Sequence, residues 1–347
     1  MKQETYIATR EQIAKILASH LKSHRVFAPF ARRNNFSFEE VKGKQDLDKI
    51  SFEYDTTILS PKKIFYPSGE LMFSFKNNKI SEPEAQKPAL VFGLHPVDLY
   101  GIIQMDEIMT NPKPDYYYLK KRKGVVLVGI NQAKENSFDF SERWGILHSH
   151  IPEPFDIFME KTGTEDSYLI FVHSKAGKKI AQKAKLKKAD KKAVSAALAK
   201  RASTSPPQKP LYDQDTIKKA VLASQGGKIW DELEKICLGC GICTYVCPLC
   251  YCFDVEDKTN YSTGECSRCR KWDACTLPTF SEIAGGKNFR PELKHRYFNW
   301  YFHKFVRALD EQGQAQFIDL SEALHKGEKN AMHRRDRRQG IIVLHAP

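Results

Sequence analysis

The sequence lacks the long apolar runs that a membrane-spanning helix requires. No stretch approaches about 18 consecutive apolar residues, although 41% of the 347 residues are hydrophobic and 28% are charged. The first ten residues, MKQETYIATR, also lack the apolar stretch of a secretory signal. These absences predict a cytoplasmic protein with no membrane span, and the chain is long enough for two domains.

The glycine-rich loops that bind nucleotides are missing as well. The sequence has no Walker-type phosphate loop, and no G-x-G-x-x-G follows a predicted strand. We therefore expect no nucleotide site in this chain. A flavin or NAD(P) involved in its function would belong to a partner.

Acidic residues are scarce in one basic segment, residues 175–201. This segment holds ten lysines and one arginine against the single acid Asp190, and it contributes much of the formal net charge of +13. Its alanines and leucines favour helix, so a solvated helix face is the first interpretation. A docking surface for an acidic partner is the second. We do not predict a nucleic-acid site, because aromatic platforms and a known nucleic-acid-binding fold are missing.

The N-terminal part is predicted to be an α/β domain. Residues 9–21 have apolar side chains at positions 13, 17 and 21, which is a helical period. A second helix is predicted at residues 97–109, as a crossover between strands. Short runs rich in β-branched and aromatic residues predict buried strands at 63–66, 89–94, 124–130 and 168–173.

A polar connector, STSPPQKP at residues 203–210, separates this domain from the rest. Helices are predicted at 214–224 and 296–309. The predicted organisation is an α/β domain at 1–202, a linker at 203–213, a cluster-binding domain at 214–325 and a basic tail at 326–347.

Cysteine is absent outside one short region, because all nine cysteines lie between Cys237 and Cys275. A reducing cytoplasm disfavours disulfides, so closely spaced thiols indicate metal or redox chemistry. The first four follow the bacterial ferredoxin spacing C-x2-C-x2-C-x3-C-P. They are the predicted cofactor ligands Cys237, Cys240, Cys243 and Cys247.

Two glycines inside this run support a cluster loop. Gly239 and Gly241 allow the backbone to curl with positive φ and to bring N–H groups close to the sulfurs. Zinc is the alternative metal, since thiolates also suit zinc. Structural zinc sites usually consist of two C-x2-C pairs, so the triple run favours a [4Fe-4S] cluster.

The other five cysteines offer enough thiolates for a second four-ligand site, with one to spare. A cubane and a zinc ion are both chemically allowed there, and we favour the cubane. All nine cysteines are therefore predicted metal ligands, the further five being Cys250, Cys252, Cys266, Cys269 and Cys275. The predicted fold class is α+β, an α/β domain followed by a mainly α, loop-rich ferredoxin-like iron–sulfur domain.

The chain resembles the β subunit of soluble nickel–iron (sulf)hydrogenases and the related iron–sulfur subunit of anaerobic sulfite reductase. The residues that carry the resemblance are CLGCGICTYVCPLCYCFDVED (237–257), RKWDACTLPTFSEIAGGKNFRP (270–291), HKF (303–305), SPKKIFYPSGELMFSF (60–75) and FGLHPVDL (92–99). The resemblance implies a protein with several [4Fe-4S] clusters that passes electrons between two other subunits, one that binds flavin and NAD(P) and one that is catalytic.

The chain departs from this family where other thiols are typical. The second ferredoxin run of the family is replaced by Phe317, Leu320, Ala323 and Gly327. Other family cysteines correspond to Val97 and to the stretch after the strand at 124–130, where this chain has Gln132, Asn136, Asp139 and Ser141.

These losses leave the fourth ligand of the first cluster open. Cys247 could turn inward, a spare thiol such as Cys275 could bind, or one iron could stay open. We expect an electron-transfer subunit with no catalytic residues of its own. The alternative is a zinc-binding structural or assembly protein derived from the same family.

Overall fold

The structure is a computed structural model, and it describes residues 4–131, 155–162, 166–204 and 213–307. The chain divides into two compact units. The N-terminal unit comprises the described residues of Met1–Phe65 and Gln86–Lys209, and the C-terminal unit those of Tyr66–Ala85 and Pro210–Pro347. Helices and strands occur in both units, which confirms the α+β class. None of the described helices is long and apolar enough to cross a membrane.

The elements are numbered in chain order. The strands are β1 (Glu4–Thr9), β2 (Arg25–Arg32), β3 (Asn35–Glu40), β4 (Glu70–Lys76), β5 (Lys79–Ser81), β6 (Ala89–Leu94), β7 (Val126–Ile130), β8 (Ile157–Lys161), β9 (Ser167–Val172), β10 (Lys187–Lys188), β11 (Phe253–Asn260) and β12 (Glu265–Trp272). The helices are α1 (Arg10–His20), α2 (Lys62–Phe65), α3 (Pro96–Thr110), α4 (Tyr116–Arg122), α5 (Lys175–Lys183), α6 (Lys191–Thr204), α7 (Gln214–Ala223), α8 (Lys228–Ile236), α9 (Ile242–Val246) and α10 (Leu293–Phe302).

The N-terminal unit is built on a mixed sheet. Among the described residues its strand order is β10-β1-β9-β8-β7-β6-β2-β3, with parallel pairing from β2 through β6 and β7 to β8. Every residue of β6 and β7 is buried, as is usual for parallel strands covered on both faces. These strands and β9 confirm the predictions at 89–94, 124–130 and 168–173.

Helix ends in this unit follow from their capping residues. Thr9 caps α1 in a capping box with Gln12, and Ile13 and Leu17 are buried, which confirms the predicted helix. The backbone N–H of His95 donates to Asp98 Oδ2 at 3.2 Å at the start of α3. Helix α3 connects the parallel strands β6 and β7, so it occupies the predicted crossover.

The strand predicted at 63–66 is wrong, because Lys62–Phe65 form the short helix α2. Ser60 Oγ accepts from the Lys62 N–H at 3.2 Å, and the Pro61 carbonyl accepts from the Ile64 N–H at 2.9 Å. Proline suits the first turn of a helix. A four-residue apolar run is too short for its period to separate helix from strand.

The basic segment forms helices α5 and α6 with the two-residue edge strand β10 between them. Its lysines up to Lys192 are exposed, which confirms the solvated face as their environment. Lys187 and Lys188 make up β10, and lysine on an edge strand disfavours pairing with another chain.

The C-terminal unit contains an antiparallel sheet that no pattern in the sequence predicts. Among the described residues its strand order is β11-β12-β4-β5. Strands β11 and β12 form a hairpin, and β4 comes from an earlier part of the chain to pair with β12. Strand β5 pairs with β4 at the edge of this sheet, and Cys266 and Cys269 lie on β12.

The helices of this unit pack through aromatic residues. Trp230 of α8 lies with its ring 5.3 Å from the rings of both Phe298 and Tyr301 of α10. Helix α7 confirms the prediction at 214–224. The helix predicted at 296–309 begins earlier, at Leu293, and α10 is followed by a π-helical turn at His303–Arg307.

The predicted tail at 326–347 and the positions of the lost second ferredoxin run lie outside the described residues. So do most of the predicted linker and the stretch after β7. The domain boundaries stay predictions.

Candidate metal centre

The ferredoxin run begins where α8 ends. Cys237 caps this helix, and its N–H donates to the Leu233 carbonyl at 3.0 Å. Gly239 and Gly241 have φ of 62° and 74°, which confirms the predicted positive φ. The Gly239 N–H donates to Cys237 Sγ at 3.4 Å, so the curled loop directs a backbone dipole at the sulfur.

The short helix α9 separates the thiols of the run. Gly241 caps its N-terminus, and Cys243 lies in its first turn. Cys240 is exposed, whereas Cys247, the residue after α9, is only 5% exposed. The run therefore places thiols at both a solvent-facing and a buried position.

We call Cys237, Cys240 and Cys243, the first three cysteines of the run, the first thiol group. Burial raises the pKa of Cys243, and the charge of Cys237 adds to the effect. Burial, the neighbouring Tyr301, and the charges of Cys237 and Cys243 together raise the pKa of Tyr297 to about 12. Tyr297 and Tyr301 are four residues apart on α10, so this helix lines the first thiol group.

The residues that follow β12 bring Cys275 close to Cys252. The Asp273 N–H, just after β12, donates to the Cys252 carbonyl at 3.0 Å. Trp272 Nε1 donates to the Tyr66 carbonyl at 2.8 Å. Trp272 therefore anchors the end of β12 to the segment that precedes β4, and its ring stacks on Tyr245.

The segment around Cys252 is held from its other side by Tyr251. Its carbonyl accepts from the Tyr66 hydroxyl at 2.9 Å, and its own hydroxyl lies 3.3 Å from His303 Nε2. Cys275 is 3% exposed. A hydrogen bond with Cys252, burial, and the charges of Cys252 and Cys250 all raise the pKa of the Cys275 thiol.

Lys304 connects Cys247 to these thiols. Its side chain is buried, and its Nζ donates to Cys247 Sγ at 3.0 Å. It also forms a hydrogen bond with Cys250. We call the four thiols gathered here the second thiol group: Cys247, Cys250, Cys252 and Cys275.

The two cysteines of β12 lie apart from these contacts. Cys266 Sγ is 3.6 Å from Thr259 Oγ1 across the hairpin, and Cys269 is paired in register with Leu71 of β4. Within the described residues, no three His, Cys, Asp or Glu side chains converge so as to hold a single metal ion. Pairwise interactions link the other members of the two thiol groups, and Cys240 is assigned by its position in the run. The liganding role of all nine cysteines stays a prediction.

Several residues around the thiols are not predicted from the sequence. Arg296 is 6% exposed, and its guanidinium donates to the carbonyls of Thr276, Arg290 and Pro291, which fixes the segment after Cys275. In the sequence, Lys304 stands out only as part of the HKF motif. The four-residue spacing of Trp300 and Lys304 indicates a shared helix face, but it does not reveal that this face is buried.

The residues present fit iron–sulfur clusters chemically. Thiolates are soft ligands suited to iron–sulfur clusters. A backbone N–H at a sulfur and a buried ammonium among thiols both favour the negative charge that such a cluster carries. The N–H of Gly239 lies in the first thiol group, and the ammonium of Lys304 lies in the second thiol group.

Comparisons with known proteins agree with this chemistry. A family model described as a 4Fe-4S dicluster domain matches residues 236–318. The chain is 31% identical over 283 residues to the sulfhydrogenase 2 subunit beta of Pyrococcus furiosus, which covers 79% of this chain and 81% of that protein. These matches support [4Fe-4S] clusters as the cofactor and an iron–sulfur electron-transfer role. The chain belongs to the family of the sulfhydrogenase β subunits.

Proposed function

We propose that the chain relays electrons within a hydrogenase- or sulfite-reductase-like complex, between a partner that binds flavin and NAD(P) and a partner that is catalytic. The observation that carries this proposal is the presence of two separate thiol groups in the unit that matches the 4Fe-4S dicluster domain. A single group would support one redox centre, whereas a relay benefits from two.

We propose that the two thiol groups hold different clusters. The first would be bound by Cys237, Cys240 and Cys243, and the second by the second thiol group. In two-cluster ferredoxins the fourth cysteine of the run ligates the other cluster, and the contact of Cys247 with Lys304 supports the same arrangement here. This assignment favours an outside or open fourth position on the first cluster over Cys247 turning inward.

Bound clusters supply one-electron transfer without a bond to substrate. The protein contributes the thiolates, the Gly239 N–H at Cys237, and the burial of Cys247 and Cys275 in the second group. Apolar side chains next to the first group are strongly exposed, with Ile236 at 77%, Leu238 at 91% and Ile242 at 54%. An exposed apolar rim is suited to contact a partner, so electrons would enter or leave at the first cluster.

The basic segment supports docking of an acidic partner in this scheme. Its exposed lysines on α5 and α6 would accelerate encounter with a negatively charged protein. The flavin or NAD(P) would reside in that partner.

Metal and sulfide analysis of the anaerobically purified full chain tests the proposal. We expect iron and acid-labile sulfide in equal amounts, about eight of each for two clusters. Zinc without sulfide would refute the relay and favour the structural or assembly protein. Cys247→Ser should lose the same electron paramagnetic resonance (EPR) signal as Cys275→Ser, and Cys237→Ser should lose the other signal. Loss of the Cys237 signal in Cys247→Ser would assign Cys247 to the first cluster.

Measuring the direction of electron flow requires the co-purifying subunits. We expect NAD(P)H to reduce the clusters when the flavin-binding subunit is present and to leave them oxidised when it is absent. Reduction of the isolated chain by NAD(P)H would contradict the expected division of labour.

A further inference from the structure

A lysine ammonium lies inside the C-terminal unit beside the second thiol group. Lys304 is 6% exposed and lies in the π-helical turn His303–Arg307. Such turns are rare and are frequent at functional sites. The turn directs Lys304 inward, where its Nζ lies 5.2 Å from the centre of the Trp300 ring.

A buried ammonium is costly unless charged or polar partners compensate it. The polar contacts of Lys304 are with the sulfurs of Cys247 and Cys250. Several other lysines of this unit pair with carboxylates instead, among them Lys235, Lys271 and Lys294.

A buried ammonium such as that of Lys304 brings no evident benefit to the stability of an apolar core. Replacing a buried ion pair by apolar side chains of similar volume is often neutral or stabilising. A lysine at this position is explained if the thiols beside it carry negative charge in the working protein. An iron–sulfur cluster with thiolate ligands supplies that charge, and it becomes more negative by one unit on reduction.

We propose that Lys304 is a positioning residue that raises the reduction potential of the cluster bound by the second thiol group. Its Nζ donates hydrogen bonds to the ligand sulfurs, and its positive charge stabilises the reduced cluster more than the oxidised one. Reduction adds one electron from a one-electron donor, with no bond made or broken, and Lys304 keeps its proton throughout. This inference rests on the proposed assignment of the second cluster.

An EPR-monitored redox titration of the full chain tests the inference. In Lys304→Met we expect the midpoint potential of one cluster to become more negative. The shift should correspond to at least a tenfold change in the reduction equilibrium, which is about 59 mV for a one-electron couple. The potential of the other cluster should shift by less, because Lys304 acts on Cys243 of the first thiol group through its charge alone. Lys304→Arg retains the charge and should lie between Lys304→Met and wild type.

Lys294→Met is the matched control. Lys294 lies on α10 in the same unit, but its ammonium pairs with Asp231 and Glu292. We expect both potentials to be unchanged in this variant. Full iron content in Lys304→Met with both potentials unchanged would overturn the inference.

If Lys304→Met loses iron, the iron content of Lys304→Arg separates a role of the charge from a role in packing. Loss in Lys304→Met with full iron in Lys304→Arg supports a requirement for the cation at the cluster. Loss of iron in both variants would assign Lys304 to packing and refute a tuning role. A wild-type chain without iron would refute the proposed function itself, a failure that differs from an absent potential shift.

Discussion

At the scale of single residues, a buried ion pair ties the sheet of the C-terminal unit together. Arg270 of β12 and Glu70 of β4 are cross-strand partners, with the Arg270 Nη2 2.7 Å from Glu70 Oε2. Their side chains are 1% and 6% exposed. The guanidinium also lies over the ring of Tyr66, 4.5 Å from its centre. The pair therefore fixes the register of the strand that leads to Cys275.

We expect Arg270→Met to lower the free energy of unfolding of the C-terminal unit by about 3–5 kcal/mol, because it leaves the Glu70 carboxylate buried without its partner. Denaturant unfolding measures this loss. Arg268 on the same strand is the control, since it pairs with Asp257 at an exposed position. Arg268→Met should cost less than about 1 kcal/mol. Equal losses in the two variants would show that burial of the pair is unimportant.

Near the thiols, the backbone conformation of the glycines could be predicted from the sequence, whereas the burial of two charged residues could not. The glycines of the ferredoxin run are predicted to have positive φ, because the spacing of the run demands a curled loop. Lys304 and Arg296 are not predicted to be buried. Charged residues are almost always exposed, so composition and local pattern give no reason to place either one inside.

At the scale of elements, the loop between α8 and α9 orients the first thiol group. Gly241 has a φ of 74°, and a Cβ added there would lie 3.0 Å from the Ala274 Cβ. Ala274 precedes Cys275, so this contact joins the ferredoxin run to the segment that carries the last cysteine. The loop is constrained both by its backbone and by its neighbour.

We expect Gly241→Ala to reduce the iron content of the chain and to destabilise the loop, because the left-handed backbone alone costs about 1–2 kcal/mol for alanine. Iron and sulfide analysis with EPR measures the effect. Gly264 has a φ of 66° in the β11–β12 hairpin, with no atom within 4 Å of an added Cβ. Gly264→Ala should carry the same backbone cost and keep its iron. Equal iron loss in both variants would mean that backbone strain, rather than the contact with Ala274, is decisive.

Elements with long, regular patterns are predicted well, and short ones are not. Helix α1 shows four-residue spacing and a capping box, and β6 is a continuous apolar run. Helix α2 has four residues, and its pattern is mistaken for a strand. The strands β4, β11 and β12 carry exposed and polar residues. Their sheet forms by pairing between distant segments, which no local period indicates.

At the scale of the whole molecule, the chain forms two compact units with different sources of stability. The N-terminal unit has a continuous apolar core that includes Leu90, Phe92, Val128 and Ile170. In the C-terminal unit, the thiol loops at 237–252 and 273–276 contain no regular element other than the short helix α9. Metal–thiolate bonds are expected to supply folding free energy there.

Removal of iron should therefore affect the two units unequally. We expect hydrogen-exchange mass spectrometry to show faster amide exchange at residues 237–252 and 273–276 after anaerobic chelation of iron. Peptides covering β6 and β7 should exchange at the rate of the iron-loaded protein. Uniformly faster exchange in both units would indicate that the clusters stabilise the entire chain, and unchanged exchange would indicate that the thiol loops fold without metal.

The sequence by itself determined the metal chemistry of this protein. The ferredoxin spacing places thiols along a short loop, and such local spacing is a property of the chain alone. The tertiary structure decided which thiols meet and what surrounds them. Cys275 reaches Cys252 through the pairing of β11 with β12, and Lys304 reaches Cys247 through α10 and the π-helical turn. Contacts between segments far apart in the chain depend on packing and burial, which a local pattern does not encode.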